Sequence, residues 1–366
     1  MKFSCETKKL LAALQLVGSV IPAKSPREIL QNVLIEAKDD SVHVAGTDLE
    51  VGIRFIVPDI KVDRKGAVLA EAARLTQILR EAGGETISFE GTAPLEFTIS
   101  YEGSTYDMKG FDPEEYPDVP FFEGDHVEVD APVLTSMIEH TAFAAARESI
   151  RFAINGVLFV VKKGVAHMVG TDGHRLAWIK KKVEIAQDVE FKGILPLKAL
   201  DVLQRLLQES EEPVSLKFEE NFILARCGQG SIASKLVEGS YPNYEDVVPR
   251  ENDRIATINV EQMTSAVRQA AVLTGNESRS LRASFEDGKM TLTSRLPERG
   301  GAIIERGVEF EGESVKIGFN PDYLLDVLKI TEEETIRLEL KDKDRPALFK
   351  KGDEYLYVVM PVSIEE

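Results

Sequence analysis

The chain is poor in the side chains from which metal centres and disulfide frameworks are built. Its 366 residues include two cysteines, Cys5 and Cys227, together with one tryptophan and five histidines. Two cysteines cannot form a disulfide framework or a zinc cluster, so we expect both to be small apolar core residues. The histidines are not spaced as metal ligands. The sequence therefore predicts no metal site.

Signals for enzymatic chemistry are also missing. The chain has no Gly-x-Gly-x-x-Gly and no Gly-Lys-Ser/Thr phosphate loop, and Gly300-Gly301 indicates a turn. Asp172, His174 and Arg175 are close in sequence, but no nucleophile pattern accompanies them. We expect no catalytic residue, no cofactor and no enzymatic activity.

Long apolar runs are absent as well. No stretch of about 18 apolar residues occurs, which argues against a membrane-spanning helix. The segment from Met1 to Lys9 has neither an apolar signal core nor a cleavage site. These absences predict a cytoplasmic protein with no membrane partner.

Basic residues are outnumbered by acidic ones, 44 to 62, which gives a net charge of −18. Taken alone, this argues against nucleic acid as a partner, because phosphate binding usually appears as a basic domain. Predicted helices nevertheless carry cations such as Arg80, Lys198 and Arg205, whereas Glu332 to Glu334 lie outside them. A locally basic surface can act independently, since charges are screened beyond ~8 Å. The alternative is an ordinary solvated helix face.

What the sequence does have is an internal repeat. Short motifs recur in order at an offset of about 124 residues, which points to three units of about 122 residues each. The matching pairs are Thr47-Asp48 with Thr171-Asp172, Tyr116-Pro117 with Tyr241-Pro242, and Asp201-Val202-Leu203 with Asp326-Val327-Leu328. We therefore predict three domains, 1–122, 123–248 and 249–366.

Each unit has the same order of predicted elements. Apolar residues at helical spacing are followed by alternating strands, then by a second helix at about 70–82, 196–208 or 320–330 and by more strands. The pattern predicts an α+β fold of three tandem domains, each made of two strand–helix–strands half-repeats. Six half-repeats can curve and close into a ring as a dimer. Two alternatives remain, a scaffold that binds only protein and an enzyme built from tandem domains.

A set of motifs that runs in order through the whole chain carries a family resemblance. The motifs are Met1-Lys2-Phe3, Gly46 to Glu50, Asn155 to Phe159, Thr171 to Ala177, Ser234 to Gly239, Tyr241 to Tyr244, Ile317 to Asn320, Tyr323 to Leu328 and Tyr357 to Pro361. They resemble the beta subunit family of bacterial DNA polymerase III, the DNA sliding clamps. The Thr171 to Ala177 segment and the Val358 to Pro361 end are highly specific in combination.

The resemblance implies a non-catalytic processivity factor. It implies a head-to-tail homodimeric ring around double-stranded DNA, with helices lining the hole and antiparallel sheets outside. It also implies an ATP-dependent clamp loader as a partner. Further partners would carry a clamp-binding peptide: the DNA polymerase III alpha subunit, translesion polymerases, mismatch repair proteins and ligase.

The resemblance also assigns sites by position. The partner-peptide pocket maps to Arg151, Ile154, Thr171, Gly173, His174, Arg175, Leu176, Pro242, Val247, Val358, Met360, Pro361 and Val362. DNA contacts map to Lys24, Arg80, Arg147, Lys198 and Arg205, and the dimer interface maps to Ile78, Tyr106, Val272 and Leu273. Without the resemblance, each apolar pocket residue taken singly is more typical of an ordinary core.

Several positions depart from the family pattern. Asp246 stands where relatives often have a basic residue, and Ser363 to Glu366 extend beyond the usual end. Phe152 and Ala153 replace a pair that is often aromatic, which predicts the loss of one platform for stacking on single-stranded DNA. Gly103 and Thr105 occupy positions that are often basic, so we expect the apolar cluster to dominate the dimer interface.

Overall fold

A computed structural model describes residues 1–93, 95–208, 212–275, 279–296 and 299–363. Within these ranges the three sequence repeats each contain two α-helices. They are α1 (Thr7–Gly18), α2 (Ala72–Glu81), α3 (Ala131–Glu139), α4 (Leu197–Gln208), α5 (Val260–Ala271) and α6 (Pro321–Ile330). The predicted second helices of the repeats are confirmed as α2, α4 and α6. No helix in the described ranges is both long and apolar enough to cross a membrane.

Local capping explains where the helices of the third repeat begin. The Asn259 side chain accepts a hydrogen bond from the Gln262 amide at 3.0 Å at the start of α5, and Asn320 accepts one from Asp322 at 2.9 Å at the start of α6. Asparagine favours this position because its oxygen satisfies an amide that the helix leaves free. Pro321 follows at the first helical position, where its missing N–H has no cost.

The chain divides into two compact units, of which the first comprises residues 1–135 and 198–236. This unit contains a five-stranded and an eight-stranded antiparallel sheet. The five-stranded sheet has the order β5 (Lys61–Arg64), β1 (Lys2–Glu6), β7 (Thr86–Ala93), β8 (Glu96–Tyr101), β9 (Ser104–Lys109). The eight-stranded sheet has the order β10 (Val127–Val129), β15 (Val214–Phe218), β16 (Phe222–Cys227), β17 (Gly230–Lys235), β4 (Val51–Val57), β3 (Ser41–Thr47), β2 (Asn32–Lys38), β6 (Gly66–Glu71).

The second unit comprises residues 136–197 and 237–366. Its nine-stranded sheet has the order β14 (Glu190–Pro196), β11 (Gly156–Lys162), β12 (Val165–Thr171), β13 (Arg175–Lys182), β26 (Tyr355–Val359), β25 (Ala347–Lys351), β24 (Thr335–Leu340), β18 (Arg254–Asn259), β22 (Glu309–Glu311). A four-stranded sheet has the order β21 (Gly300–Gly307), β20 (Lys289–Leu296), β19 (Leu281–Glu286), β23 (Val315–Phe319). The combination of helices and antiparallel sheets confirms the predicted α+β class.

The two large sheets cross the boundaries between sequence repeats. In the first unit β4 pairs with β17, and in the second β13 pairs with β26, in both cases antiparallel. Each pairing joins the first half of one repeat to the second half of the next. Compact units therefore form around the shared sheets, and the boundaries of the three-domain division remain a prediction.

Among the edge strands of the four sheets are β9 in the first unit and β21 in the second. Each is the last strand of its half-repeat. In the shared sheet of the first unit, β17 and β4 are the strands at the equivalent positions. An edge strand presents unpaired backbone N–H and C=O groups that can accept another strand. These two edges have a bearing on assembly.

Candidate partner-binding site

The loop between β12 and β13 is held by a compact set of side-chain to backbone hydrogen bonds. The Thr171 hydroxyl donates to the Arg175 carbonyl at 2.6 Å and accepts from the Gly173 amide at 3.1 Å. The Asp172 carboxylate accepts from the amides of His174 and Arg175 at 2.9 and 3.0 Å. Gly173 has φ of +89°, a conformation that favours glycine. The loop therefore presents the exposed His174 in a fixed orientation.

Arg175 lies at the centre of a polar network beside this loop. Its guanidinium donates to Asp172 at 3.0 Å, to the Phe143 carbonyl at 2.9 Å and to Asp326 on α6. It also lies over the Tyr323 ring, 4.5 Å from the centroid. Burial alone would lower the pKa of this guanidinium, but Tyr357 and the two carboxylates raise it above its ordinary value. Arg175 therefore stays charged and links the Thr171–Arg175 loop to α6.

An apolar floor adjoins the loop in the second unit. Leu176, Val358 and Tyr241 belong to one buried cluster, on which the partly buried Tyr244 and Val248 also pack. The Tyr241 hydroxyl donates to the Val169 carbonyl at 2.8 Å, which fixes the start of the segment that contains Tyr244 and Val248. The floor explains why the predicted pocket positions Leu176 and Val358 are buried.

The rim of this floor exposes apolar side chains. Val247 is 40% exposed and Met360 is 37% exposed. The Met360 amide donates to the His174 carbonyl at 2.9 Å, and the Val362 amide donates to Gly318 at 3.0 Å. These bonds place the C-terminal segment alongside the loop. A surface with a buried apolar floor, flexible methionine and a few fixed polar groups suits an extended peptide.

The remaining pocket positions fall in the same unit. Arg151, Gly173, His174 and Pro242 are exposed, Ile154 and Thr171 are buried, and Pro361 and Val362 are half-buried. Asp246 is exposed and accepts a hydrogen bond from the Asn243 side chain at 2.5 Å. Of the C-terminal extension, residues 364–366 lie outside the described residues.

The first unit contains a second copy of the loop. Thr47 donates to the Val51 carbonyl at 3.0 Å, and Asp48 accepts from the Glu50 and Val51 amides at 2.9 and 2.8 Å. Here the cation is Lys198, which donates to Asp48 at 2.5 Å and to the Val20 carbonyl at 2.8 Å. The recurrence of Thr-Asp thus has a structural cause in both copies.

Burial would raise the pKa of the Asp48 carboxyl, but the Lys198 ammonium and the backbone amides of Val51 and Glu50 hold it below its usual value. The Lys198 ammonium is therefore already shared with an internal carboxylate. Its assignment as a DNA contact remains a prediction. The other four predicted DNA-contacting cations are all exposed: Lys24, Arg80, Arg147 and Arg205.

The loop around Arg147 also exposes apolar groups. Ile150 is 95% exposed and Phe152 is 72% exposed, whereas Ala153 packs against the buried cluster. The Asn155 side chain accepts from the Ser149 amide at 2.8 Å and donates to its carbonyl at 3.0 Å, which fixes the loop. One aromatic platform is thus presented to solvent.

The predicted dimer residues are placed separately in the two units. In the first, Tyr106 on β9 is 37% exposed and its hydroxyl lies 3.3 Å from that of Tyr101, while Ile78 is half-buried. In the second, Val272 is 75% exposed at the end of α5 and Leu273 is half-buried. Ile303 on β21, which the sequence patterns did not assign to this surface, is 74% exposed. The run Ala302-Ile303-Ile304 was the available signal for an apolar edge.

Comparison with known proteins places these features in a family. Models of the N-terminal, central and C-terminal domains of the DNA polymerase III beta subunit match residues 1–120, 128–243 and 245–363. The beta sliding clamp of Pseudomonas putida is 30% identical over 367 residues, which covers 100% of both chains. That of Pseudomonas aeruginosa is 30% identical over 369 residues, with the same coverage.

Solved structures agree. The crystal structure of the DNA polymerase III subunit beta from Pseudomonas aeruginosa has a TM-score of 0.94 at 30% identity, covering 100% of both chains. The sliding clamp of Bacillus subtilis has a TM-score of 0.96 at 24% identity with the same coverage, which bears on the fold alone. The fold is thus that of a sliding clamp with three tandem clamp domains. The chain belongs to the DNA polymerase III beta subunit family.

Proposed function

We propose that this chain is a non-catalytic processivity factor. Two copies would close head to tail into a ring around duplex DNA, and the ring would tether a DNA polymerase through the peptide site of the second unit. The observation that carries the proposal is the placement of β9 and β21, which end corresponding half-repeats, at sheet edges. The clamp domains would be residues 1–122, 123–248 and 249–366.

The repeat predicts that these two edges pair with each other. At two junctions the last strand of a first half-repeat, β4 or β13, pairs with the last strand of a second half-repeat, β17 or β26. By the same rule, β21 ends the remaining first half-repeat and β9 ends the remaining second half-repeat. We propose that these two strands pair between different copies of the chain. Head-to-tail pairing of two copies uses both edges and closes the ring.

The known registers predict how these edges meet. Carrying them through the strand pairings of each repeat places Ala302 opposite Tyr106. The side chains then share a face: Tyr106 lies opposite the buried Ile99 of β8, and Ile304, 8% exposed, lies opposite the buried Leu292 of β20. Tyr106 would therefore pack among Ala302, Ile304 and the apolar end of α5.

Disulfide trapping tests this register. Directly opposed residues on antiparallel strands have Cβ atoms about 4.5–5.5 Å apart, which is near disulfide reach. The pair Ala302→Cys with Tyr106→Cys is expected to give a covalent dimer on mild oxidation, because both native cysteines are buried. The control pairs Ala302→Cys with Thr105→Cys, whose side chain points to the other face. Equal trapping of both pairs, or a monomer at micromolar concentration in gel filtration, would overturn the interface.

Topological retention tests the function itself. The protein is loaded onto nicked circular DNA by a clamp loader, the DNA is linearised, and bound protein is separated by gel filtration. A clamp stays on the circle and leaves the linear form. Failure to stay on the circle, with the dimer intact, would favour a scaffold that binds only protein.

The expected DNA contacts are phosphate-directed and independent of sequence. We assign the larger share of binding to the exposed cations Lys24, Arg80, Arg147 and Arg205, since Lys198 is paired with Asp48. Each lost phosphate contact makes the negative slope of log affinity against log salt less steep by about 0.9. An Arg205→Gln variant is expected to bind all duplex sequences more weakly by a similar factor.

We propose that the peptide site serves the DNA polymerase III alpha subunit, the clamp loader, translesion polymerases, mismatch repair proteins and ligase, each through a short peptide. The fixed loop at His174, the floor at Leu176 and the exposed Val247 and Met360 support this proposal. The protein would act in the cytoplasm at the replication machinery, without a cofactor.

A further inference from the structure

The short 3-10 turn Tyr244–Asp246 borders the apolar floor and is anchored to it. The Tyr244 ring meets the Trp178 ring edge-on, with centroids 4.9 Å apart. Trp178 belongs to the buried cluster that contains Leu176 and Val358, and Tyr244 packs against it. Val248 packs on the same cluster, so the intervening Asp246 and Val247 are directed outward and exposed. The turn therefore forms a fixed part of the rim of the peptide site.

The Asp246 carboxylate lies on this rim and is held in place by a hydrogen bond. One of its oxygens accepts from the Asn243 amide at 2.5 Å, which restricts the side chain and leaves the other oxygen available. Exposed Val247 follows directly in the chain. Val247 and Asp246 therefore present an apolar contact and a carboxylate acceptor next to each other on the rim.

The other charges of the site do not offset this carboxylate. The Arg175 guanidinium faces two carboxylates, Asp172 and Asp326, so that group as a whole carries net negative charge. Arg151 is an exposed cation at the start of the turn that leads to Ile154. Counted together, the three acidic and two basic side chains leave the site with an excess of negative charge.

Glu245 is the neighbouring acid in the same turn and is also exposed. Its charge raises the pKa of His167, against the larger lowering effects of burial and of Lys180. That histidine accepts the Trp178 indole N–H at 3.2 Å. Glu245 is an exposed acid next to Asp246 in the chain, so it provides an internal control for charge alone.

We propose that Asp246 makes this peptide site selective for partner segments that carry a lysine or arginine next to their apolar anchor. The inference rests on the proposed function, because it concerns the occupant of the same site. An exposed ion pair is a modest interaction, so a preference of about threefold over a neutral or acidic neighbour is expected. It should shrink in high salt, since exposed charges are screened.

The test is fluorescence anisotropy with the full-length protein and two labelled peptides. Both carry a leucine and a phenylalanine anchor, and they differ in one flanking residue, lysine or glutamate. The wild type is expected to bind the lysine peptide about threefold more tightly at low salt. Asp246→Asn should abolish the preference, Asp246→Lys should reverse it, and Glu245→Gln should leave it unchanged.

The outcomes separate the two proposals. Equal binding of both peptides by the wild type would overturn the selectivity and leave the peptide site intact. Equal loss of preference in the Asp246→Asn and Glu245→Gln variants would also overturn it, because the effect would then be one of overall charge. Binding of neither peptide would overturn the peptide site itself.

Discussion

Replacing Arg175 with methionine removes the tie between the Thr171–Arg175 loop and α6 while keeping much of its apolar bulk. The side chain is 11% exposed, and its two partners Asp172 and Asp326 are 18% and 38% exposed. Loss of a buried partner costs about 3–5 kcal/mol, whereas an exposed pair is worth ~0–1 kcal/mol. Because Asp326 is partly solvated, we expect a loss of about 3 kcal/mol.

Thermal unfolding is the assay. For a unit the size of the second one, 1 kcal/mol corresponds to a shift of about 2–4 °C in Tm, so Arg175→Met should lower the Tm of this unit by about 6–12 °C. The matched control is Arg279→Met. Arg279 also pairs with an α6 aspartate, Asp322, but the side chains are 50% and 44% exposed. The control should shift Tm by less than about 3 °C.

A double-mutant cycle identifies the interaction. In an Asp326→Asn background, Arg175→Met should cost measurably less than in the wild type, because part of its effect is the stranded carboxylate. The reasoning would be refuted by a shift for Arg175→Met no larger than that for Arg279→Met. It would also be refuted by strict additivity of the two changes.

Two further changes test the packing and the first unit. Gly170→Ala should prevent stable folding, because its Cβ would lie 2.1 Å from the backbone oxygen of Thr141, whereas Gly18→Ala, with nothing within 4 Å, should fold normally; circular dichroism and urea unfolding compare them. Asp48→Asn should destabilise by about 1–2 kcal/mol at neutral pH, because it loses the ion pair with Lys198. Since the folded pKa of Asp48 is depressed, its contribution is present above the unfolded pKa and lost as pH falls through the folded one. The difference between wild type and Asp48→Asn should therefore shrink below about pH 4, and a constant difference would contradict the assignment.

The repeat, the α+β class and the second helices could be predicted from sequence pattern alone. Periodic apolar residues dictate which face of α2, α4 or α6 is buried, and this information is local. The Thr-Asp motif was also visible, because a turn that bonds its own backbone needs those side chains wherever it occurs. Family motifs then assigned the positions of the peptide site.

The contacts that those residues make depend on how the folded chain packs. Lys198 was a basic residue on a predicted helix, and its pairing with Asp48, far away in sequence, could not be inferred from local pattern. The same holds for Arg175 with Asp326 and for the two shared sheets, which make compact units that differ from the repeats. Sheet pairing and ion pairing join distant segments through space, so they depend on how the whole chain packs, whereas helix periodicity and turn chemistry depend on neighbours along it.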